Sequence, residues 1–167
     1  MPWAFERLYA DLAPVVAGYL RVQGAAEPED LTNEVFLGVF TGMDSFEGSE
    51  TQFRSWVFTI AHRRLVDERR RLARRLWSPA GDLAEFDKSG GDVEADALDV
   101  LGSRRVVEWC AGLSADQRDV LVLRVVGDLT IDQVAAIVDK SPGAVKALQR
   151  RALTALRQQV EKEGVTL

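Results

Sequence analysis

Three helix-start signals stand between Ser114 and Pro142, and they constrain the fold of this chain more than any other feature. Ser114-Ala-Asp-Gln and Thr130-Ile-Asp-Gln each set a hydroxyl three residues before a glutamine, the spacing at which side chain and backbone cap one another reciprocally. Ser141 is an N-cap, and Pro142 behind it has the fixed φ that suits a first helical turn and lacks only an N–H that would be unpaired there. The second of the helices started this way is short. The first runs through Val120, Leu121, Leu123 and Val126 until Gly127 supplies a C-terminal stop. The second sets Ile131, Val134, Ala135 and Val138 on one face before Asp139 and Lys140 make a tight connection, and the third carries Val145, Leu148, Ala152 and Leu156. Helix, short turn, helix is the result.

In that third helix Val145, Leu148 and Ala152 face inward, which leaves Lys146, Gln149, Arg150 and Arg157 outward and Arg151 near the border. Amide and guanidinium groups near a helix start can reach base edges and phosphates in a major groove. Periodicity alone fits an ordinary amphipathic helix with a solvated basic face equally well. The paired caps and the short turn favour the nucleic-acid reading.

The first half of the chain is also helical. Phe5, Leu8, Tyr9, Leu12, Val16, Tyr19 and Leu20 form one stripe, with a kink expected at Pro14. A second helix is expected from about Glu29 to Gly42, with Asp30 and Glu34 one turn apart. A polar loop, Asp44 to Thr51, precedes a third helix from about Gln52 to Leu76, aromatic in its first half (Phe53, Trp56, Phe58) and arginine-rich in its second. Aromatic rings beside arginines can hold unstacked bases while the cations neutralise the phosphate backbone. For any single one of these rings, a place in the core is the commoner use.

A net charge of −5 looks wrong for a nucleic-acid binder until it is divided along the chain. Residues 1–50 hold nine acids against two arginines, and residues 51–77 hold eight arginines against two acids. Residues 78–103 hold seven acids against one lysine, with Gly81, Gly90 and Gly91 and few large apolar residues, the composition of a mobile linker. Residues 104–167 are mildly basic, and binding to a polyanion follows the local patch and not the total. The expected architecture is therefore all-α: two small helical domains, 1–77 and 104–167, joined by a flexible acidic linker at 78–103.

Several function classes are set aside. The single Cys110 cannot form an internal disulfide and reads as a buried small hydrophobe, and with one histidine, His62, there are too few ligands for an ordinary zinc site. No metal, cofactor or catalytic residue is expected, because Asp30 and Glu34 have no further acids or histidines beside them. Absence of an apolar span of about eighteen residues and of a basic-then-apolar start predicts a cytoplasmic protein without membrane insertion.

The order of these parts resembles the extracytoplasmic-function sigma factors of bacterial RNA polymerase. Glu29-Asp-Leu-Thr-Asn-Glu-Val-Phe-Leu is similar to their "EDLxQExF" segment, and Phe53-Arg-Ser-Trp-Val-Phe-Thr-Ile-Ala-His-Arg to "FRxWLxxIAxN". Leu113-Ser-Ala-Asp-Gln-Arg-Asp-Val-Leu is similar to "LPxxQRxVL", and Gly143-Ala-Val-Lys-Ala-Leu-Gln-Arg-Arg-Ala-Leu to "GTVKSRxxRAL". The resemblance spans nearly the whole chain. It implies a sigma region 2 bundle in residues 1–77 and a sigma region 4 helix-turn-helix in residues 104–167.

It further implies that Asp30, Leu31, Asn33, Glu34 and Phe36 dock on the clamp of the largest polymerase subunit, and that region 4 meets the flap of the second-largest. Within the loop that captures a flipped base, and along the helix beside it, Ser45, Phe46, Glu47, Arg54, Trp56, Arg63, Arg64, Asp67 and Arg70 would meet the minus-10 element. Ser141, Gly143, Ala144, Lys146, Ala147, Arg150 and Arg151 would meet the minus-35 element. Promoter DNA, core polymerase and an anti-sigma factor are the partners implied, for a subunit that directs promoter recognition and melting without catalysis. Arg63 stands where the family often has asparagine, the loop carries Glu47 and Glu50, and Ala147 replaces the usual serine, so the promoter sequence need not follow the family's. The competing reading is a two-domain helix-turn-helix regulator that binds an operator without being a polymerase subunit; polymerase binding separates the two.

Overall fold

The computed structural model describes residues 2–77 and 97–164, with side chains described for 6–77 and 104–164. All regular structure among these residues is helical. Helices α1 (Pro2–Val22), α2 (Pro28–Gly42) and α3 (Glu50–Leu76) form the N-terminal bundle, with a single 3-10 turn at Met43–Ser45. Helices α4 (Ala97–Ala111), α5 (Ala115–Val125), α6 (Ile131–Val138) and α7 (Pro142–Lys162) follow.

The N-terminal core is built at three- and four-residue spacing, as helices demand when one stripe of each faces its neighbours. Leu12, Val16, Tyr19 and Leu20 of α1 meet Leu31, Val35, Phe36 and Val39 of α2 and Phe53, Val57, Phe58, Ala61 and Leu65 of α3. Tyr19 and Phe58 pack edge to face at 5.5 Å. α1 continues through Pro14 to Val22 as one helix. α3 starts earlier than expected because Ser49 closes a capping box: the Gln52 N–H donates to Ser49 Oγ at 3.3 Å and the Ser49 N–H donates to Gln52 Oε1 at 2.8 Å.

In the C-terminal half the two expected capping boxes, at Ser114–Gln117 and Thr130–Gln133, are both formed. Ser141 caps α7 by accepting from the Ala144 N–H at 3.1 Å. Val120, Leu123, Leu129, Val134 and Val145 have no exposed surface to speak of, and Leu113, Leu121 and Ala152 make a small satellite cluster.

Gly127 differs from expectation. The left-handed residue after α5 is Asp128, with φ of 54°, not the glycine. Gly127 is required for closeness: a Cβ there would stand 2.5 Å from the Leu123 carbonyl oxygen. α4 begins at Ala97, within the stretch 78–103 expected as linker, and residues 78–96 lie outside the described residues. The signal for α4 was weak because its apolar residues do not gather into one strong stripe.

The two halves touch. α1 and α3 of the first pack against α4, α5 and α6 of the second, one buried apolar cluster runs through both halves, and polar side chains meet beside it. Gln23, only 3% exposed, donates to Asp119 Oδ1 at 2.9 Å and accepts from Arg69 and Arg118, each at 3.0 Å.

Candidate nucleic-acid interface

Helix α7 presents the residues expected to read duplex DNA. Val145 and Ala152 are fully buried and Leu148 is partly so, which fixes the rotation of the helix. Gly143, Ala144, Lys146, Arg150 and Arg151 are then exposed, and Ala147 is half-buried at the edge of the same face. Ser141 is exposed too, with its hydroxyl spent on the cap. Among the described residues, no side-chain partner engages Lys146, Arg150 or Arg151.

Gln149 is not free to read a base. Arg124 on α5 donates from Nε to Gln149 Oε1 at 3.0 Å and from Nη1 to the Leu129 carbonyl at 2.5 Å. One guanidinium thus ties α5, the turn and the reading helix together, a bidentate use for which arginine's planar fork is suited. Sequence reading did not single out Arg124, because its two partners lie five and twenty-five residues away with no local pattern to mark them.

The second surface lies along α3. Trp56, Arg63, Asp67 and Arg70 recur at helical spacing, so the aromatic and basic ends share one face. Arg63, Arg64, Asp67 and Arg70 are exposed. At its upper end Phe46 stacks on Trp56 with centroids 5.0 Å apart and planes 19° apart, and Phe53 meets the Phe46 ring edge-on at 5.2 Å. Phe53 and Phe58 are buried and belong to the core; Phe46 and Trp56 stay half-exposed, with Ser45 and Glu47 fully at the surface.

Two arginines of this helix point elsewhere. Arg69 turns inward to Gln23 and to Asp119, 3.4 Å from its Nη1. Arg54 donates from Nε to the carbonyl of Gly127 at 2.6 Å, with its guanidinium 5.8 Å over the Phe58 ring. His62 meets the Tyr19 hydroxyl at 3.2 Å, and burial holds its pKa below the usual imidazole value, with Asp119 opposing and Arg69 adding to the fall. Burial raises the Cys110 thiol above its ordinary value, as expected of a small apolar filler.

A third surface is on α2, where Asp30, Asn33 and Glu34 are exposed and Asn33 lines a shallow groove with Tyr9, Phe36, Leu37 and Phe40. Leu31 and Phe36, expected in a docking role, are both 4% exposed. They anchor α2 to the core, Phe36 also lining the groove, and the apolar side chains this face offers outward are Leu37 and Phe40, 66% and 63% exposed. Both were visible in the sequence as one stripe with Asn33, at spacings of four and three residues. The Glu27 carboxyl is raised above its ordinary value by a hydrogen bond with Asp30 and by that neighbour's charge, which marks how crowded with acid the start of α2 is. Among the described residues there is no group of three or more acids, histidines or cysteines that could hold a metal ion, and no helix long and apolar enough to cross a membrane.

Comparison with known proteins follows the same division. Sigma-70 region 2 matches residues 5–75, and Sigma-70, region 4 matches residues 109–158. The chain is 31% identical over 157 residues to the extracytoplasmic-function RNA polymerase sigma factor SigK of Mycobacterium ulcerans, covering 92% of this chain and 84% of that protein. It is 30% identical over 155 residues to the corresponding factor BldN of Streptomyces coelicolor, covering 92% of this chain but spanning 59% of that protein's length. In fold it is similar to the sigma factor RpoE solved with the anti-sigma factor NepR from Bartonella quintana, with a TM-score of 0.73 at 21% identity over 95% of this chain and 97% of that one.

Proposed function

The chain belongs to the sigma-70 family, among its extracytoplasmic-function sigma factors, and on that premise we propose that it loads onto core RNA polymerase and carries it to promoters by three separate surfaces. The exposed face of α2, with Asp30, Asn33 and Glu34 around Leu37 and Phe40, docks on the clamp, its charges steering and its apolar centre holding. Region 4 meets the flap. On α3, the exposed arginines neutralise phosphates beside the minus-10 element while Phe46 and Trp56 offer aromatic surface to an unstacked base. On α7, Lys146, Arg150 and Arg151 enter the major groove at the minus-35 element.

The observation that carries this reading is the orientation of α7. Val145 and Ala152 of its apolar stripe are fully buried, so Lys146, Arg150 and Arg151 project outward, and among the described residues no side chain engages them. The subunit needs no catalytic group, since melting draws on binding energy supplied by the polymerase complex. Its place is the cytoplasm, where promoters are. An anti-sigma factor fits the same reading, because the structurally similar RpoE was solved with one.

The test is reconstitution with core polymerase followed by run-off transcription on genomic fragments. Promoter-dependent transcripts absent with core alone are expected; tight operator binding by the free protein, with no transcript in the presence of core, would replace this reading with that of a stand-alone regulator.

A further inference from the structure

We infer that α7 reads the minus-35 element with hydrogen-bond donors and methyl groups alone, so that it recognises the major-groove edges of guanine and thymine and leaves the amino groups of adenine and cytosine unread. The inference deepens the proposed function and rests on α7 being the reading helix.

From Gly143 to Leu153, Gln149 is the single residue whose side chain carries an acceptor oxygen. Arg124 takes that oxygen, donating to it from Nε at 3.0 Å, and the same guanidinium is fixed at its other end by the Leu129 carbonyl. The exposed face is left with Gly143, Ala144, Lys146, Arg150 and Arg151, with Ala147 half-buried at its edge. Lysine and arginine carry donors and no acceptor, and alanine carries only a methyl group. Before this stretch, the Ser141 hydroxyl oxygen is occupied by the Ala144 N–H, and the Asp139 carboxylate belongs to the turn that ends α6. After it, Thr154 lies roughly 17 Å along the helix from Gly143 by helical rise, beyond the first turns that meet base edges.

The groove code then decides what such a face can recognise. Guanine offers N7 and O6, both acceptors, and thymine offers the O4 acceptor and a methyl group; adenine and cytosine each present an amino donor, which needs an acceptor opposite it. Lys146, Arg150 and Arg151 suit the first edge, and Ala144 and Ala147 suit the methyl of the second. An added Cβ on Gly143 would meet nothing within 4 Å, so the protein leaves room there for a base edge to come close to the backbone. An amino group turned toward this face would lose its water without gaining a partner. Every base pair holds one guanine or one thymine, so the information lies in which strand carries it. Gly143 to Arg151 spans roughly 12 Å of helix, about three to four base pairs of duplex.

The test alters single groups of the DNA and leaves the protein whole. Binding of the full chain with core polymerase is titrated on a promoter found by run-off transcription, with each base of the minus-35 element replaced in turn. Replacing guanine by 7-deazaguanine should weaken binding about tenfold at one position or more, and replacing thymine by uracil, which removes only the methyl, about threefold. Replacing adenine by purine, which removes only the amino group, should change binding less than about twofold at every position. A tenfold loss with purine would mean that an acceptor reads adenine and would overturn the inference. So would indifference to 7-deazaguanine and uracil on a promoter whose scrambled element binds poorly, since phosphate contacts and DNA shape would then carry the recognition. Ala144→Gly and Ala147→Gly assign the methyl contact: uracil should cease to matter at the position each alanine covers, and the full uracil penalty persisting in both variants would overturn that part. Indifference of the polymerase complex to scrambling the whole element would instead remove α7 from recognition and defeat the proposed function itself.

Discussion

Gly42 at the end of α2 lies against the indole of Trp56 so closely that a Cβ would fall 2.8 Å from Cζ2, inside any real carbon contact. Phe46 stacks on the same ring. The position of Trp56 at the head of the arginine face is thus set by a glycine on another helix. In Gly42→Ala the indole must move. Alanine would ordinarily favour a helix by about 1 kcal/mol, but here overpacking should give a net loss of about 1–3 kcal/mol. Urea denaturation measures the loss, and permanganate footprinting of the promoter should show weaker melting. A more stable variant that melts DNA normally would show the contact to be slack.

Docking through α2 predicts that Asp30→Lys with Glu34→Lys lowers affinity for core polymerase roughly tenfold at low salt and less at high salt, since exposed charges are screened. Both side chains are exposed, so circular dichroism should be unchanged. Co-purification with core across a salt series checks it, and unaltered binding would take these acids out of the docking face.

For promoter reading, a bidentate contact from Arg151 to a base predicts that Arg151→Ala costs about 1–3 kcal/mol at one position of the minus-35 element. Lys146→Ala or Arg150→Ala, if the contact is to phosphate, should weaken all promoters alike and reduce the salt slope by about one unit. Run-off transcription from a promoter library separates the two. Wild-type activity of the triple alanine variant on intact and scrambled elements alike would remove α7 from recognition.

Arg124→Ala should leave the Leu129 carbonyl and Gln149 without their donor, at a cost of about 1–3 kcal/mol. Arg124→Lys should recover only part of this, because a single ammonium lacks the fork that spans both acceptors. Thermal unfolding measures stability, and a larger effect on promoters that depend on the minus-35 element would show that the arginine positions α7.

His62 makes stability depend on pH. Burial lowers its folded pKa below the value of 6.5 it would have unfolded, so on acidification the unfolded chain takes up the proton first. Its contribution is fully present above about pH 6.5 and is lost as pH falls from there toward the folded pKa. Denaturant midpoints at pH 7.5 and 6.0 should differ more for the wild type than for His62→Gln. Equal differences would mean that the imidazole is not held neutral by its surroundings.

The all-α class, the helix starts at Thr130 and Ser141 and the rotation of α7 were legible in the sequence, because caps and apolar periodicity act over a few residues and each leaves a local signature. The exposed acids of α2 and the cations of α7 could be named for the same reason. What only the tertiary structure decided are the pairings between distant segments. Nothing in the run Arg69-Arg70-Arg71 tells that the first turns inward to Gln23 and Asp119 while the others face solvent, and the role of Gly127 depends on how close Leu123 and Arg54 come to it. Leu31 and Phe36 share a motif with Asp30 and Glu34 yet face the core, since a linear motif on a helix samples every side of it and only packing selects which side is outside.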